Sequence, residues 1–350
     1  MDYRRLGRTD LNVSSLCLGT MTYGEQNTEA EGHAQMDLAL DRGVNLFDAA
    51  ELYPIPPNRD TQGRTERIIG TWFKARGQRD KVIMATKVVG RTDMDWFREN
   101  GAHARLTREQ IEFAVDRSLK NLKTDYIDLY QLHWPDRNVS GFGTNPTRWT
   151  DVEPAADENS IESTLDVLGD LVKAGKIRHI GVSNESAWGT MTYVKAAERH
   201  GLPRIASIQN AYSLVNRTFE TALAEVSLRE DVSMLAYSAL AQGYLTGKYR
   251  DGALPHGSRK TLFDRLQRYE KAGAEEAINE YVDLARDNDL DPSQMALAFA
   301  QSRSFMTSVI LGATKMEQLE NDLDAATLTL SDEVLAKIDD IHQRRGNPCP

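Results

Sequence analysis

The chain has 350 residues, 40% hydrophobic and 27% charged, enough apolar material for a sizeable core in one large domain or two ordinary ones. A formal net charge of −10 argues against a general nucleic-acid or anionic-membrane binder, which needs a basic footprint, but leaves room for a local basic pocket for a phosphorylated small molecule. Two cysteines (Cys17 in an apolar run, Cys349 in the tail) argue against a disulfide framework, and with no signal-like start and no stretch of ~18 apolar residues a cytoplasmic location away from membranes is expected.

In chain order, Tyr3–Val13 carries Gly7-Arg8-Thr9-Asp10 between β-prone residues and reads as a hairpin within residues 1–14, placed to plug one face of the fold. Strand and helix then alternate. Strands are expected over Ser15–Gly19, Asn45–Asp48, Val82–Lys87 and Ile127–His133, followed in turn by helices over Glu31–Arg42, Arg64–Ala75, Arg108–Leu122 and Ile161–Ala174. The second half repeats the pattern, with strands over His179–Ser183, Ala206–Gln209, Ser233–Tyr237 and Ser308–Gly312. Its helices cover Ala187–His200, Phe219–Arg229, Glu275–Asn288 and Gln294–Ser302, and a C-terminal helix and tail occupy 330–350. Ala174-Gly175 and His200-Gly201 punctuate helix ends, and Asp291-Pro292 marks a helix start.

The strands are short and near-continuously apolar, as parallel strands covered on both faces should be, and there are eight of them. The expected fold is therefore α/β, a (β/α)8 TIM barrel in one domain over 1–350. A doubly wound sheet is the rival, but Gly19-Thr20-Met21-Thr22-Tyr23-Gly24 after the first strand does not fit G-x-G-x-x-G. Two long segments, 134–160 and 250–268, follow strand ends and are expected to overhang the active face.

Three of the apolar runs end in a polar or charged residue. One ends at Asp48 with Tyr53 five residues on, one at Lys87 and one at His133. A charge at the end of a buried strand is costly unless it is paired or has a task. In a parallel barrel all strand ends share one face, so Asp48, Tyr53, Lys87 and His133 are expected to meet. Together they fit carbonyl reduction. A phenol holds a proton at neutral pH but donates it reluctantly, and a nearby ammonium lowers its pKa. A carboxylate keeps that ammonium charged in an apolar setting, and a neutral imidazole orients the carbonyl oxygen.

These segments resemble the aldo-keto reductase superfamily. Asn45–Tyr53 is similar to its Asp/Tyr signature, Ala85-Thr86-Lys87 to its lysine strand and Tyr126–His133 to its histidine strand. The likeness continues through Ile180–Asn184, Ile208–Ser213, Ala236–Leu240, Gly247-Lys248-Tyr249 and Leu311–Lys315. It covers essentially the whole chain, and within the superfamily it is nearest to the bacterial Tas-like group in the regions His133-Trp134-Pro135 and Gln294–Phe299. The resemblance implies an NADPH-dependent reductase of small aldehydes or ketones, binding NADP(H) without a Rossmann motif, with no metal, nucleic-acid or membrane partner. It leaves the oligomeric state open.

By that analogy Tyr53 is the acid, supported by Lys87, Asp48 and His133. Tyr237 would stack on the nicotinamide, and Ser183, Asn184 and Gln209 would hold its carboxamide. Ser238, Leu240 and Gln242 would line the pyrophosphate with Lys248 as a cation beside it, and Gly19, Thr20 and Gly312 would border the cofactor. Thr314 and Gln318 would approach the adenosine 2′-phosphate, and the basic run Gly257-Ser258-Arg259-Lys260 would fold over the cofactor as a clamp. Asn321-Asp322 stands where many relatives have Glu-Asn. Asp322 can contact the adenine amine, but its charge bears against a 2′-phosphate, whereas Thr314 and Lys315 favour one. The substrate pocket is expected to be lined by Tyr23, Leu52, Trp134 and Trp149, an aromatic surface suited to aldehydes, ketones or quinone-like carbonyls. Two alternatives stand beside this reading: a redox-sensing regulatory subunit of a membrane channel, and a metal-dependent barrel hydrolase built on Asp48, His133 and His179.

Overall fold

A computed structural model describes residues 1–139, 151–263 and 267–350. A two-stranded antiparallel hairpin of β1 (Tyr3–Arg5) and β2 (Asn12–Ser14) comes first. The barrel follows: β3 (Leu16–Gly19), α1 (Glu29–Asp41), β4 (Leu46–Asp48), α2 (Arg64–Arg76), β5 (Ile83–Val88), α3 (Arg108–Leu122), β6 (Ile127–Leu132) and α4 (Ile161–Lys173). It continues through β7 (Ile177–Ser183), α5 (Ala187–His200), β8 (Ile205–Ala211), α6 (Leu223–Glu230), β9 (Ser233–Tyr237), α7 (Arg259–Phe263), α8 (Ala274–Arg286), α9 (Pro292–Gln301), β10 (Met306–Leu311), α10 (Met316–Asp324) and α11 (Asp332–Arg345). Strands β3 to β10 pair in parallel, and β10 closes on β3 to complete the eight-stranded barrel.

Local chemistry explains the helix starts. Thr28 and Glu31 form a reciprocal capping box on α1. Thr107, Ser160, Ser186 and Ser331 accept from backbone N–H groups of the first turns of α3, α4, α5 and α11, and Asp291 precedes Pro292 at the start of α9. Except for α7, which buries none of its residues, each helix then buries part of its surface in the core. In α4 that part includes Ile161, Leu165, Leu168 and Leu171, and truncating Leu168 to alanine would cost about 2–5 kcal/mol by leaving a cavity.

The hairpin is the expected plug. Leu6 and Val13 are fully buried in a cluster with Cys17, Leu46, Ala85, Leu129, Ala206 and Leu235, which come from six different barrel strands. At Gly7 the chain turns with φ +54°, and a Cβ there would fall 2.4 Å from the carbonyl oxygen of Ala206, so only glycine lets the hairpin seat this deeply. Among the described residues no helix is long and apolar enough to cross a membrane.

The differences from sequence expectation are local. The Phe219–Arg229 helix is a 3₁₀ turn over Thr218–Thr221 and then α6, broken at Ala222, whose φ of −138° leaves the helical region. The 250–268 segment contains the short helix α7, and α10 forms in a stretch for which the hydrophobic period gave no helix. Part of 134–160, including Trp149, lies outside the described residues.

Candidate active site

Strand register brings the charged ends together. Asp48 is the last residue of β4 and pairs with Ala85; Lys87 lies in β5 opposite Gln131 of β6; and His133 directly follows β6. All three are buried. Tyr53, on the loop after β4, is half-buried.

Lys87 Nζ donates to Asp48 Oδ2 at 2.6 Å and to the Ala49 carbonyl at 2.7 Å. Asp48 Oδ1 accepts from Gln209 Nε2 at 2.9 Å and Gln131 Nε2 at 3.2 Å, so both carboxylate oxygens are satisfied. The Lys87 ammonium lies 5.1 Å from the centre of the Tyr53 ring, and the His133 ring meets Tyr53 edge-on at 5.7 Å between centres. His133 Nδ1 is buried without a protein partner.

The titration follows from this packing. Burial works against the Lys87 charge, but Asp48 and Tyr53 outweigh it and hold the ammonium above its ordinary pKa. Burial, reinforced by the Lys87 charge, holds His133 well below the usual imidazole range, so its ring is neutral. For Tyr53, burial raises the phenol and Lys87 lowers it, and the net is a rise. The expected lowering by lysine is present, but burial exceeds it. The phenol therefore keeps its proton through neutral pH.

The wall beside this group is apolar. Leu52 packs with Ala50, Val89, Phe97 and Ala104, and Tyr53, Trp96 and Trp134 lean on that cluster. The Trp134 ring is 4.9 Å from His133, and its indole donates to the Arg91 carbonyl at 2.8 Å. Tyr23 is a correction. It is completely buried in the main core against Gly32 of α1 and Ile68 of α2, so it does not line the mouth.

Several expected cofactor residues converge on the same end. Asn184 donates from Nδ2 to the His133 carbonyl at 2.9 Å and accepts from the Tyr237 hydroxyl at 2.5 Å, which sets Tyr237 next to the tetrad. Gln209 is turned inward to Asp48, and Ser183 donates to the Gln209 carbonyl at 2.7 Å. After β9 the backbone is strained. Ser238, Ala241 and Gln242 have φ of +59°, +49° and +56°, and Gly243 has +99°. Positive-φ runs of this kind turn N–H groups into a concavity suited to phosphate. Lys248 lies over it: a Cβ on Gly243 would fall 2.8 Å from the Lys248 ammonium. Gln242 Oε1, and both amide atoms of Gln26, are buried without a protein partner, which leaves hydrogen-bonding capacity for a polar ligand. A dinucleotide fits this set of donors and cations.

Other residues have local engagements. Leu240 packs partly buried on the main core. Gly19 and Gly312 sit where β3 meets β10, where a Cβ on Gly19 would fall 2.8 Å from the Ile310 side chain and one on Gly312 would fall 3.2 Å from the Gly19 carbonyl oxygen, and the Thr20 hydroxyl bonds the Asp48 carbonyl at 2.8 Å. Gln318 accepts from the Thr314 N–H at 3.1 Å. Asn321 is held by Gln294 and Asp291, while Asp322 is buried within reach of the Lys248 charge. Arg259 in α7 lies close enough to act on the Tyr53 phenol, but Lys260 pairs with Glu270 at 2.5 Å, so the expected basic clamp narrows to Arg259. Arg268, at the end of the same segment, acts on the phenols of Tyr237 and Tyr269. His179 stands near the start of β7 and faces Asp10 of the hairpin at 3.5 Å, so the Asp48, His133 and His179 metal site is not formed.

Sequence reasoning missed Gln131, Gln26 and Glu51. Gln131 was legible in principle as a polar residue inside an apolar strand. Glu51 lies between Asp48 and Tyr53 and is fully buried.

The family model described as Aldo/keto reductase family matches residues 15–343. The chain is 50% identical over 352 residues to Protein tas of Escherichia coli (strain K12), covering 100% of both. It is 32% identical over 351 residues to the uncharacterized oxidoreductase YrpG of Bacillus subtilis (strain 168), covering 100% of this chain and 98% of the relative. An aldo-keto reductase of Babesia bovis is 36% identical over 281 residues, 77% of this chain and 98% of its own length.

Proposed function

Since the chain belongs to the aldo/keto reductase family, whose members are oxidoreductases of carbonyl compounds, we propose that it reduces aldehydes or ketones to alcohols with NADPH, using Tyr53 as the proton donor. The observation that carries this reading is the half-buried Tyr53 phenol beside a lysine ammonium fixed by Asp48 and a neutral histidine.

When bound, NADPH supplies the hydride to the carbonyl carbon. Tyr237 and Asn184 would hold the nicotinamide end, and the strained 238–243 turn with Gln242 and Lys248 would hold the phosphates. Gln26 would join them through its unpartnered amide, and Thr314 and Gln318 would lie at the adenosine end. The carbonyl oxygen would sit between Tyr53 and His133. The imidazole is neutral and can donate one hydrogen bond to that oxygen without competing as an acid. Tyr53 transfers its hydroxyl proton to the oxygen as negative charge develops there. The remaining phenolate is stabilised by the Lys87 ammonium, which cannot leave because Asp48 and the Ala49 carbonyl hold it. The apolar wall of Leu52 and Trp134 favours carbonyls with aromatic or aliphatic substituents.

The test is fluorescence titration with NADPH and NADH, then turnover of an aldehyde panel by the native chain and by Tyr53→Phe. NADPH binding with turnover that falls ~10²-fold or more in the variant is the expected result. No binding of either nucleotide, or full turnover by Tyr53→Phe, would overturn the proposal. Tight nucleotide binding with negligible turnover across the panel would favour the regulatory-subunit alternative.

A further inference from the structure

Between Asp48 and Tyr53 lies a carboxylate that the reduction chemistry does not use. Glu51 is fully buried, and its side chain points into the layer between the barrel and α3. Its Oε2 accepts from Arg98 Nη1 at 3.0 Å and also from Arg117 Nη2. Its Oε1 accepts from Arg98 Nη2 at 3.3 Å and from the Val89 N–H at 2.8 Å. An isolated carboxylate at this depth would be strongly unfavourable; four donors from three residues, two on the β5–α3 connection and one on α3, make it a fixed point.

The main-chain bonds give that point its use. The Glu51 N–H donates to the Lys87 carbonyl at 3.0 Å, while its side chain holds Val89, two residues further along. The Val88 carbonyl between them accepts the His133 N–H at 2.8 Å. The Tyr53 N–H is bonded to the Ala50 carbonyl, one residue before Glu51. One residue thus fastens the turn carrying Tyr53 to Lys87 and Val89, on either side of Val88, and through Val88 to His133. On the outer side, Arg98 and Arg117 both donate to the Phe97 carbonyl, and the buried Phe97 ring packs against Ala50 and Leu52 of the same turn.

We propose that Glu51 is a positioning residue for the reaction: with Arg98 and Arg117 it sets the distance of the Tyr53 hydroxyl from Lys87 and His133. This rests on the reading of Tyr53 as the proton donor. A misplacement of about 1 Å of a reacting group can cost ~10²-fold in rate, so the effect belongs in kcat and not in nucleotide affinity.

A matched control exists at the other end of the barrel. Asp128, near the start of β6, is also a buried carboxylate bonded to two arginines, Arg79 and Arg178, and to one backbone N–H, that of Met84. Glu51→Gln and Asp128→Asn should both lower the unfolding midpoint. Only Glu51→Gln should lower kcat, by ~10-fold or more, with the NADPH dissociation constant within ~2-fold of the native value. Arg98→Lys keeps the charge but loses the fork. It should lower kcat in the same direction, and it serves as the readout if Glu51→Gln does not fold. Native kcat per folded molecule in Glu51→Gln, or in Arg98→Lys if that variant must stand in, would overturn the proposal, as would an equal fall in Asp128→Asn. Tyr53→Phe assayed in parallel separates the two ideas. Loss of turnover there with native turnover in Glu51→Gln defeats the positioning role alone; retained turnover in Tyr53→Phe defeats the proton-donor reading beneath it.

Discussion

The Lys87 ammonium and the Asp48 carboxylate stand 2.6 Å apart at the mouth of the barrel, and Asp48 also takes the amides of Gln131 and Gln209. Removing one member of so buried a pair leaves the other charge uncompensated. Asp48→Asn should destabilise the chain by about 3–5 kcal/mol, seen as a lower denaturant midpoint. It should also cut turnover by ~10²-fold, because Lys87 then loses the partner that keeps it charged beside Tyr53. The double variant Asp48→Leu with Lys87→Met should recover much of the stability but none of the turnover. Turnover near the native level in Asp48→Asn would show that Lys87 needs no carboxylate.

The neutral His133 predicts a pH signature. Its folded pKa is depressed well below 6.5 by burial and then by Lys87, so below pH 6.5 the unfolded chain binds a proton that the folded chain refuses. Stability from this group is therefore complete above about pH 6.5 and declines as pH falls, by at most about 1.4 kcal/mol per unit. Tyr53 keeps its proton above the ordinary phenol value, so it adds no inflection near neutrality. The kcat profile should be flat from about pH 6.5 to 9, and His133→Asn should flatten the acid limb of the stability curve. An inflection in kcat near 6.5 that disappears in His133→Asn would contradict a neutral imidazole.

The meeting of Asp48, Tyr53, Lys87 and His133 was legible because apolar runs stopping at Asp48, Lys87 and His133 mark strand ends, and parallel topology does the rest. Side-chain direction inside a turn leaves no such trace. Glu51 is one residue in the connection between β4 and α2, and nothing in its spacing says that it points outward to Arg98, 47 positions away. Tyr23 misled for the same reason. It follows a strand end as pocket residues do, but its loop turns it back onto Gly32. The 238–243 strain was hidden because Ser238, Ala241 and Gln242 carry no glycine-like signal for positive φ.

That strained turn yields its own prediction. Gly243 has φ +99°, and the Lys248 side chain passes directly over it. Gly243→Ala forces a Cβ to within 2.7 Å of Lys248 Cε, so the ammonium must move off the turn. The NADPH dissociation constant should rise ~10-fold from the weakened phosphate contact, and the fold should lose about 1–2 kcal/mol to backbone strain. Unchanged affinity, measured by fluorescence titration, would remove the turn from the phosphate site.

Asp322 bears on the choice between NADPH and NADH. Burial pushes its carboxyl up to about 7, with Asp291 adding to the rise and Asn321 and Lys248 opposing it. The folded chain thus holds a proton that the unfolded chain has released above its ordinary value of 3.8. The stability this group contributes is complete below about pH 4 and is lost as pH rises through 7. Asp322 lies in α10 one turn after Gln318, which the proposed function places at the adenosine end, so its ionisation puts negative charge near a 2′-phosphate. NADPH affinity should then fall roughly tenfold between pH 6 and 8, while NADH, which lacks the phosphate, should change much less. Asp322→Asn removes the titrating charge, so it should flatten the NADPH curve, raise the NADPH-to-NADH affinity ratio at pH 8 and abolish the matching slope in stability. A variant that binds NADPH with the native pH dependence would place Asp322 outside the nucleotide's reach.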